Sequence, residues 1–192
     1  MKLIIASNNK DKIKEMKAIL SPYFEEIVSM REAGIEHETL EDGETFLQNA
    51  EKKAREIAEI SGCCAIADDS GLCVDALGGA PGIYSARFCG RHGDDKANNR
   101  LLLEKLEGIA DRSAHYTCAI ALAYPGGSLV TAEDYFYGEI GYEEKGDYGF
   151  GYDPLFVLPE YGCTSAEITP EEKNRISHRG KALRALVCKL EK

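Results

Sequence analysis

Two adjacent carboxylates, Asp68 and Asp69, close the short apolar run Cys64-Ala65-Ile66-Ala67 and are followed by Ser70-Gly71. Such a run reads as a buried strand and the Ser-Gly pair as a turn, so the acids are expected at the rim of a sheet, where ligands bind. Side chains alternate along a strand, so the two carboxylates should point to opposite faces, one toward a site and the other bracing the turn. Gly78, Gly79, Pro81 and Gly82 then permit tight bends, and Tyr84-Ser85-Ala86-Arg87 adds a hydroxyl and a guanidinium. This is a neighbourhood suited to anions.

Further segments carry residues that suit a phosphate or a base. Ser7, Asn8, Asn9, Lys10, Asp11 and Lys12 span a strand-to-helix turn, where backbone N–H groups and the helix dipole attract an anion and the lysines add to the pull. The pattern is not the GxxxxGK[ST] phosphate loop, and the same residues also read as a capped helix with solvated lysines. Glu41, Asp42 and Glu44 precede a helix bearing Lys52 and Lys53. Acids there complement a helix dipole in any protein, but with Asp68 and Asp69 they offer hard oxygen ligands from separate segments, as Mg²⁺ takes when it also binds a polyphosphate. Phe150-Gly151-Tyr152-Asp153-Pro154 could stack on a flat base and bond its edge or sugar, or simply form a turn before a strand. Ser177-His178-Arg179 opens a helix and has the same two readings, polar recognition or an ordinary cap.

Periodicity supplies the elements that must position these groups. Lys2 to Ala6 reads as a strand, followed by a helix from about Lys10 to Leu20, stopped before Pro22. A strand over Glu25 to Met30 leads through the acidic loop Glu36 to Glu44 into a helix of about Thr45 to Ile60, with Phe46, Ala50, Ala54 and Ile57 at helical spacing. A helix near Asp95 to Leu106 is expected to bury its three consecutive leucines. Tyr116 to Tyr124 and Ser128 to Glu139 read as strands of a hairpin closed by Pro125-Gly126-Gly127. Phe150 to Leu158 is loop plus strand, Thr169 caps a helix with Pro170 in its first turn, and a last helix runs from about His178 to Leu190. Strands mixed with helices, and hairpins late in the chain, predict an α/β fold with a mixed sheet.

The 192 residues, 44% of them apolar, suffice for one core and at most two lobes of a single domain over 1–192. A net charge of −10 argues against coating a nucleic-acid polymer, yet a few local cations or a metal still allow phosphate binding. No apolar run reaches membrane-spanning length, and MKLIIAS is too short for a secretory segment, so no membrane partner and a cytoplasmic location are expected. Seven cysteines without a CxxC pair read as small core residues in a reducing compartment.

Taken in order, SNNKDKIKE, ETFLQNAEKKA, ADDSGLCVDALGGAPGIYSAR, FGYDPLF and EEKNRISHRGKAL resemble the inosine/xanthosine triphosphate pyrophosphatase family, across nearly the whole chain. The resemblance implies a long central mixed β-sheet with flanking helices, two lobes around a nucleotide cleft, and a homodimer. It implies hydrolysis of deaminated purine nucleoside triphosphates (ITP, dITP and XTP) between the α and β phosphorus atoms, giving monophosphate and pyrophosphate. By motif match Ser7, Asn9, Lys12 and Lys53 would hold the phosphates, with Asn8, Lys10 and Asp11 in the same substrate segment. Glu41 and Asp69 would bind Mg²⁺, and Asp69 would be the general base. Ser70 would touch the substrate and Phe150 would stack on the base within the Gly151-Tyr152 loop, while Asp153, Lys173, His178 and Arg179 would read its edge or sugar. Donors such as His178 or Arg179 would be satisfied by the 6-carbonyl of a deaminated purine and would face another donor in adenine. A nucleotide-binding regulator without turnover, and a pyrophosphatase for modified pyrimidine or methylated nucleotides, are the competing readings.

Overall fold

The computed structural model describes residues 2–191. Seven strands, β1 (Lys2–Ile5), β2 (Glu26–Ser29), β3 (Cys64–Val74), β4 (Ser113–Ala123), β5 (Leu129–Ile140), β6 (Phe156–Leu158) and β7 (Cys163–Thr164), form one sheet in the order β2-β1-β3-β4-β5-β6-β7. β1 pairs in parallel with β2 and β3, whereas β5, β6 and β7 pair antiparallel, so the sheet is mixed as expected. Among the described residues five α-helices accompany it: α1 (Lys10–Leu20), α2 (Phe46–Ser61), α3 (Asp95–Lys105), α4 (Pro170–Ile176) and α5 (His178–Leu190).

The chain divides into two compact units, and β3, β4 and β5 contribute residues to both. The first comprises Met1–Asp69, Cys118–Asp134 and His178–Lys192. Within it β1, β3 and β4 are apolar on both faces, as strands covered on both sides demand. Leu3, Ile5, Cys64, Ile66, Cys118 and Ile120 pack with Met16 and Leu20 of α1 and Leu183 and Leu186 of α5. The alternate residues Ile4, Ala65, Ala67, Ala119 and Ala121 pack with Ala50, Ala54 and Ile57 of α2. Alanines on both sides of that second contact leave little between helix and sheet. Thr45 caps α2 by accepting the Gln48 N–H, and Gly62, left-handed at φ 64°, ends it.

The second unit comprises Ser70–Thr117 and Tyr135–Ser177. Its core gathers Leu72, Val74, Leu102, Leu106, Tyr116, Phe136, Tyr152 and Phe156. Thr169 caps α4 and Pro170 occupies its first turn, as the sequence predicts.

Three expectations need correction. β3 does not end at the acids: it continues through Ser70 and Gly71 to Val74. What ends is its neighbour, since β1 stops at Ile5 opposite Ile66 and the Ala6 N–H makes its last bond to the Ile66 carbonyl. Of the three leucines in α3, only Leu102 is fully buried, because successive helical residues are about 100° apart and cannot share one face. The cysteines are all free, but only Cys64 and Cys118 are fully buried and Cys188 is exposed.

Candidate active site

Alternation along β3 decides which acid meets which helix. Cys64, Ile66 and Asp68 share the α1/α5 face, whereas Ala65, Ala67 and Asp69 share the α2 face. Past the end of β1, Lys12 in the first turn of α1 and Arg179 in the first turn of α5 meet Asp68, and Lys53 of α2 meets Asp69.

On the α1/α5 face, Lys12 Nζ lies 3.0 Å from Asp68 Oδ2, and the Arg179 guanidinium donates to the same oxygen at 3.0 and 3.1 Å. Arg179 also donates to Glu15, three residues beyond Lys12 on α1. Burial works to raise the pKa of Asp68, but Lys12, Arg179 and Lys53 outweigh it and hold the carboxyl well below its usual range. Burial likewise opposes the charge of Arg179, and Asp68 and Glu15 overcome it, raising its pKa further. Asp68 is therefore the bracing acid, though it braces two cations and not a turn.

On the α2 face, Lys53 Nζ is 2.8 Å from Glu41 Oε1 and 3.8 Å from Asp69 Oδ1. Asn49 Nδ2 donates to Asp69 Oδ2 at 2.9 Å. Burial pushes the Asp69 carboxyl upward, and the opposing pull of Lys53, Lys12 and Asn49 only partly offsets it. Burial lowers the pKa of Lys53 less than the attraction of Asp69, Asp68 and Glu41 raises it, so this lysine stays charged.

The turn between β1 and α1 holds fewer open donors than its sequence suggests. Asn9 Oδ1 accepts the N–H groups of Asp11 and Lys12, and Ser7 Oγ accepts that of Asn9. Asn8, Asn9, Lys10 and Asp11 are exposed, while Ser7 and Lys12 are half-buried. The helix dipole and the Lys12 ammonium remain to attract an anion there.

A second cluster lies in the other unit. Lys173 Nζ sits 2.5 Å from Asp153 Oδ2 and 4.8 Å from the centre of the Phe150 ring, and the Phe150 N–H donates to Asp153 Oδ2 at 2.8 Å. Ser165 Oγ donates to Asp153 Oδ1 at 3.2 Å. Gly149, at φ +78°, permits this closure, since a Cβ there would stand 2.3 Å from Asp153 Oδ2. Phe150 is half-buried. Tyr152 is a core residue whose hydroxyl donates to the Ser85 carbonyl at 2.8 Å, and the Gly151 N–H is bonded to Asp95 at 2.9 Å.

The structure thus gathers Lys12, Glu41, Lys53, Asp69 and Arg179 in one unit and Phe150, Asp153 and Lys173 in the other. His178 is buried at the start of α5, and Ser70 is half-buried on β3 directly after Asp69. Sequence reasoning missed Glu15, Asn49 and Ser165. Two of them carried a signal: Glu15 is at i+3 from Lys12 and Asn49 at i−4 from Lys53, spacings that share one helix face. Ser165 had none.

Among the described residues no three His, Cys, Asp or Glu side chains converge on one point. Two carboxylates from separate segments, Glu41 and Asp69, nevertheless suit Mg²⁺, which is commonly held by one or two carboxylates together with water and substrate phosphates. The half-buried Lys53 ammonium against both carboxylates shows that this cluster already supports a cation.

The protein is thus of the α/β class, with a mixed sheet whose third strand carries Asp68 toward α1 and α5 and Asp69 toward α2. The chain belongs to the Ham1 family, which it matches over residues 3–189. Over 186 residues it is 54% identical to the dITP/XTP pyrophosphatase of Desulforamulus reducens, covering 96% of this chain and 92% of that one. It is 50% identical to the dITP/XTP pyrophosphatase of an Exiguobacterium species, covering 99% and 97%. Among solved structures, the Staphylococcus aureus Ham1 protein superposes with a TM-score of 0.89 at 39% identity, covering 100% of this chain and 98% of that one.

Proposed function

We propose that this protein is a nucleoside-triphosphate pyrophosphatase that hydrolyses deaminated purine nucleotides, dITP and XTP as its relatives' names state and ITP with them, to monophosphate and pyrophosphate. The observation that carries the reading is the meeting of Lys53, Glu41 and Asp69, with Lys12 on the adjacent Asp68, within one unit. A polyphosphate carries several negative charges, and two half-buried ammonium groups stabilise both the bound chain and the charge gathering on departing pyrophosphate. Held by Glu41 and Asp69, Mg²⁺ would add positive charge to the same phosphates.

Asp69 serves as the general base. Its carboxyl is pushed upward by burial, which suits a group that must accept a proton from water, and Asn49 keeps one of its oxygens in place. Phe150 offers a ring face to the base, and Asp153, fixed by Lys173 and Ser165, offers acceptor oxygens toward base or sugar. Homodimeric assembly and a cytoplasmic location follow from the family resemblance and belong to the same proposal. No helix among the described residues is long and apolar enough to cross a membrane.

The test is a product assay on ITP, dITP, XTP and the four common triphosphates, with and without Mg²⁺. Pyrophosphate should be released from the deaminated purines in preference to the rest, only with the metal, and Asp69→Asn should abolish turnover without unfolding the protein. Orthophosphate as the first product, or full activity in Asp69→Asn, would overturn the assignment.

A further inference from the structure

One buried polar side chain beside the acids bonds more than the Asp69 oxygen that it steadies. Asn49 is 1% exposed and stands in the first turn of α2, four residues before Lys53. Its amide has two neighbours of opposite kind: the Gly43 N–H donates to Oδ1 at 2.8 Å, and Nδ2 donates to Asp69 at 2.9 Å. A backbone N–H only donates and an ionised carboxylate only accepts, so the amide fits in one orientation.

Gly43 reaches Asn49 only because it lacks a side chain. A Cβ there would lie 2.6 Å from Asn49 Oδ1 and 2.9 Å from Gln48 Cβ. Its backbone is not left-handed, so close approach is what requires glycine here. Two residues earlier, Glu41 meets Lys53, which also faces Asp69. A ring of contacts results, from Asn49 to Asp69, Lys53 and Glu41, and back through the loop to Gly43. The start of α2 does not need Asn49 for its own capping, because Thr45 accepts the Gln48 N–H and Gln48 accepts that of Glu44.

We propose that Asn49 is a positioning residue: a single amide holds the Asp69 carboxylate through Nδ2 and the Glu41 loop through Oδ1, and so sets the spacing of the two acids. This rests on the reading of Glu41 and Asp69 as metal ligands. Partners that orient ligand carboxylates affect metal binding strongly, and their loss costs about tenfold to a hundredfold in affinity or activity.

The experiment compares Asn49→Leu, which removes both bonds at similar size, with Gly43→Ala, which displaces the loop and leaves the Asn49 amide chemically intact. Mn²⁺ alone is titrated into each nucleotide-free protein and the free ion followed by paramagnetic resonance, beside melting temperature and ITP kinetics. Both variants should bind Mn²⁺ about tenfold or more weakly and lose kcat to a similar degree, with KM changed less than about twofold. A lower melting temperature with unchanged Mn²⁺ affinity and kcat would mean a merely structural asparagine and overturn the proposal. If Asn49→Leu does not fold, Gly43→Ala decides alone. Glu41→Gln and Asp69→Asn serve as controls. If they weaken Mn²⁺ binding and the other two do not, the positioning role alone falls; if they leave it unchanged, the metal assignment falls and takes this role with it.

Discussion

Arg179 shows how burial changes the meaning of a residue. In the sequence it is a polar group at a helix start that resemblance assigns to base recognition; in the structure its guanidinium is 2% exposed and shared between Asp68 and Glu15. Removing one partner of a buried ion pair strands the other, at a cost of about 3–5 kcal/mol. Arg179→Ala should therefore lower stability by that order in a urea titration. If the residue also reads the 6-carbonyl, the ITP/ATP ratio of kcat/KM should fall about tenfold to a hundredfold in the folded fraction. An unchanged ratio would confine Arg179 to the ion pairs. Glu32 offers a separate residue-scale prediction away from the site. Its carboxylate accepts from Lys17 Nζ at 2.8 Å and from the Ser29 N–H and Oγ at 2.7 and 2.8 Å, and these bonds hold its pKa down to about 2. A depressed folded pKa means that its stabilisation is present above the ordinary value of 4.5 and is lost as pH falls toward 2. Carboxyl carbon NMR should find this midpoint near 2, and Lys17→Met should move it upward.

Among the elements, helix caps were the most legible. Asn9 and Thr169 cap the helices as the sequence predicts, and Thr45, read there as the first helical residue, caps α2, because capping is a local matter of one oxygen and the N–H groups two or three residues on. The run of β3 past its acids was not legible, since Ser70-Gly71 reads as a turn until a neighbouring strand holds it extended. Arg112 is a comparable case at the other end of the sheet. Its buried guanidinium donates to the carbonyls of Leu106, Ile140 and Gly141, at 3.0, 2.9 and 2.6 Å, tying the start of β4 to the ends of α3 and β5, and Tyr142 stacks 4.5 Å above it. Arg112→Met keeps much of the apolar stem and removes all three donors. It should cost roughly 2–4 kcal/mol in a denaturant titration while leaving kcat/KM of the folded protein unchanged, because these carbonyls would lose charged partners.

At the scale of the whole molecule, both units share β3, β4 and β5, so loss of strand pairing in one unit frays the same strands where they enter the other. The chain over 1–192 should accordingly unfold in one transition, with far-ultraviolet dichroism and tyrosine fluorescence giving the same urea midpoint. Two separated midpoints would instead make each unit a domain of its own. From the sequence alone came the residue types, the alternation that sends Asp68 and Asp69 to opposite faces, most helices and their caps, and a resemblance that the Ham1 match bears out. These depend on periods of two and of 3.6 residues and on bonds between near neighbours, which a linear reading contains. Only the tertiary structure decided that β1 stops where the acids begin, that Arg179 and Lys12 share Asp68, and that Asn49 joins Gly43 to Asp69. Those outcomes depend on which strands become neighbours and how closely a helix approaches the sheet, distances between residues far apart in the chain that local patterns do not encode.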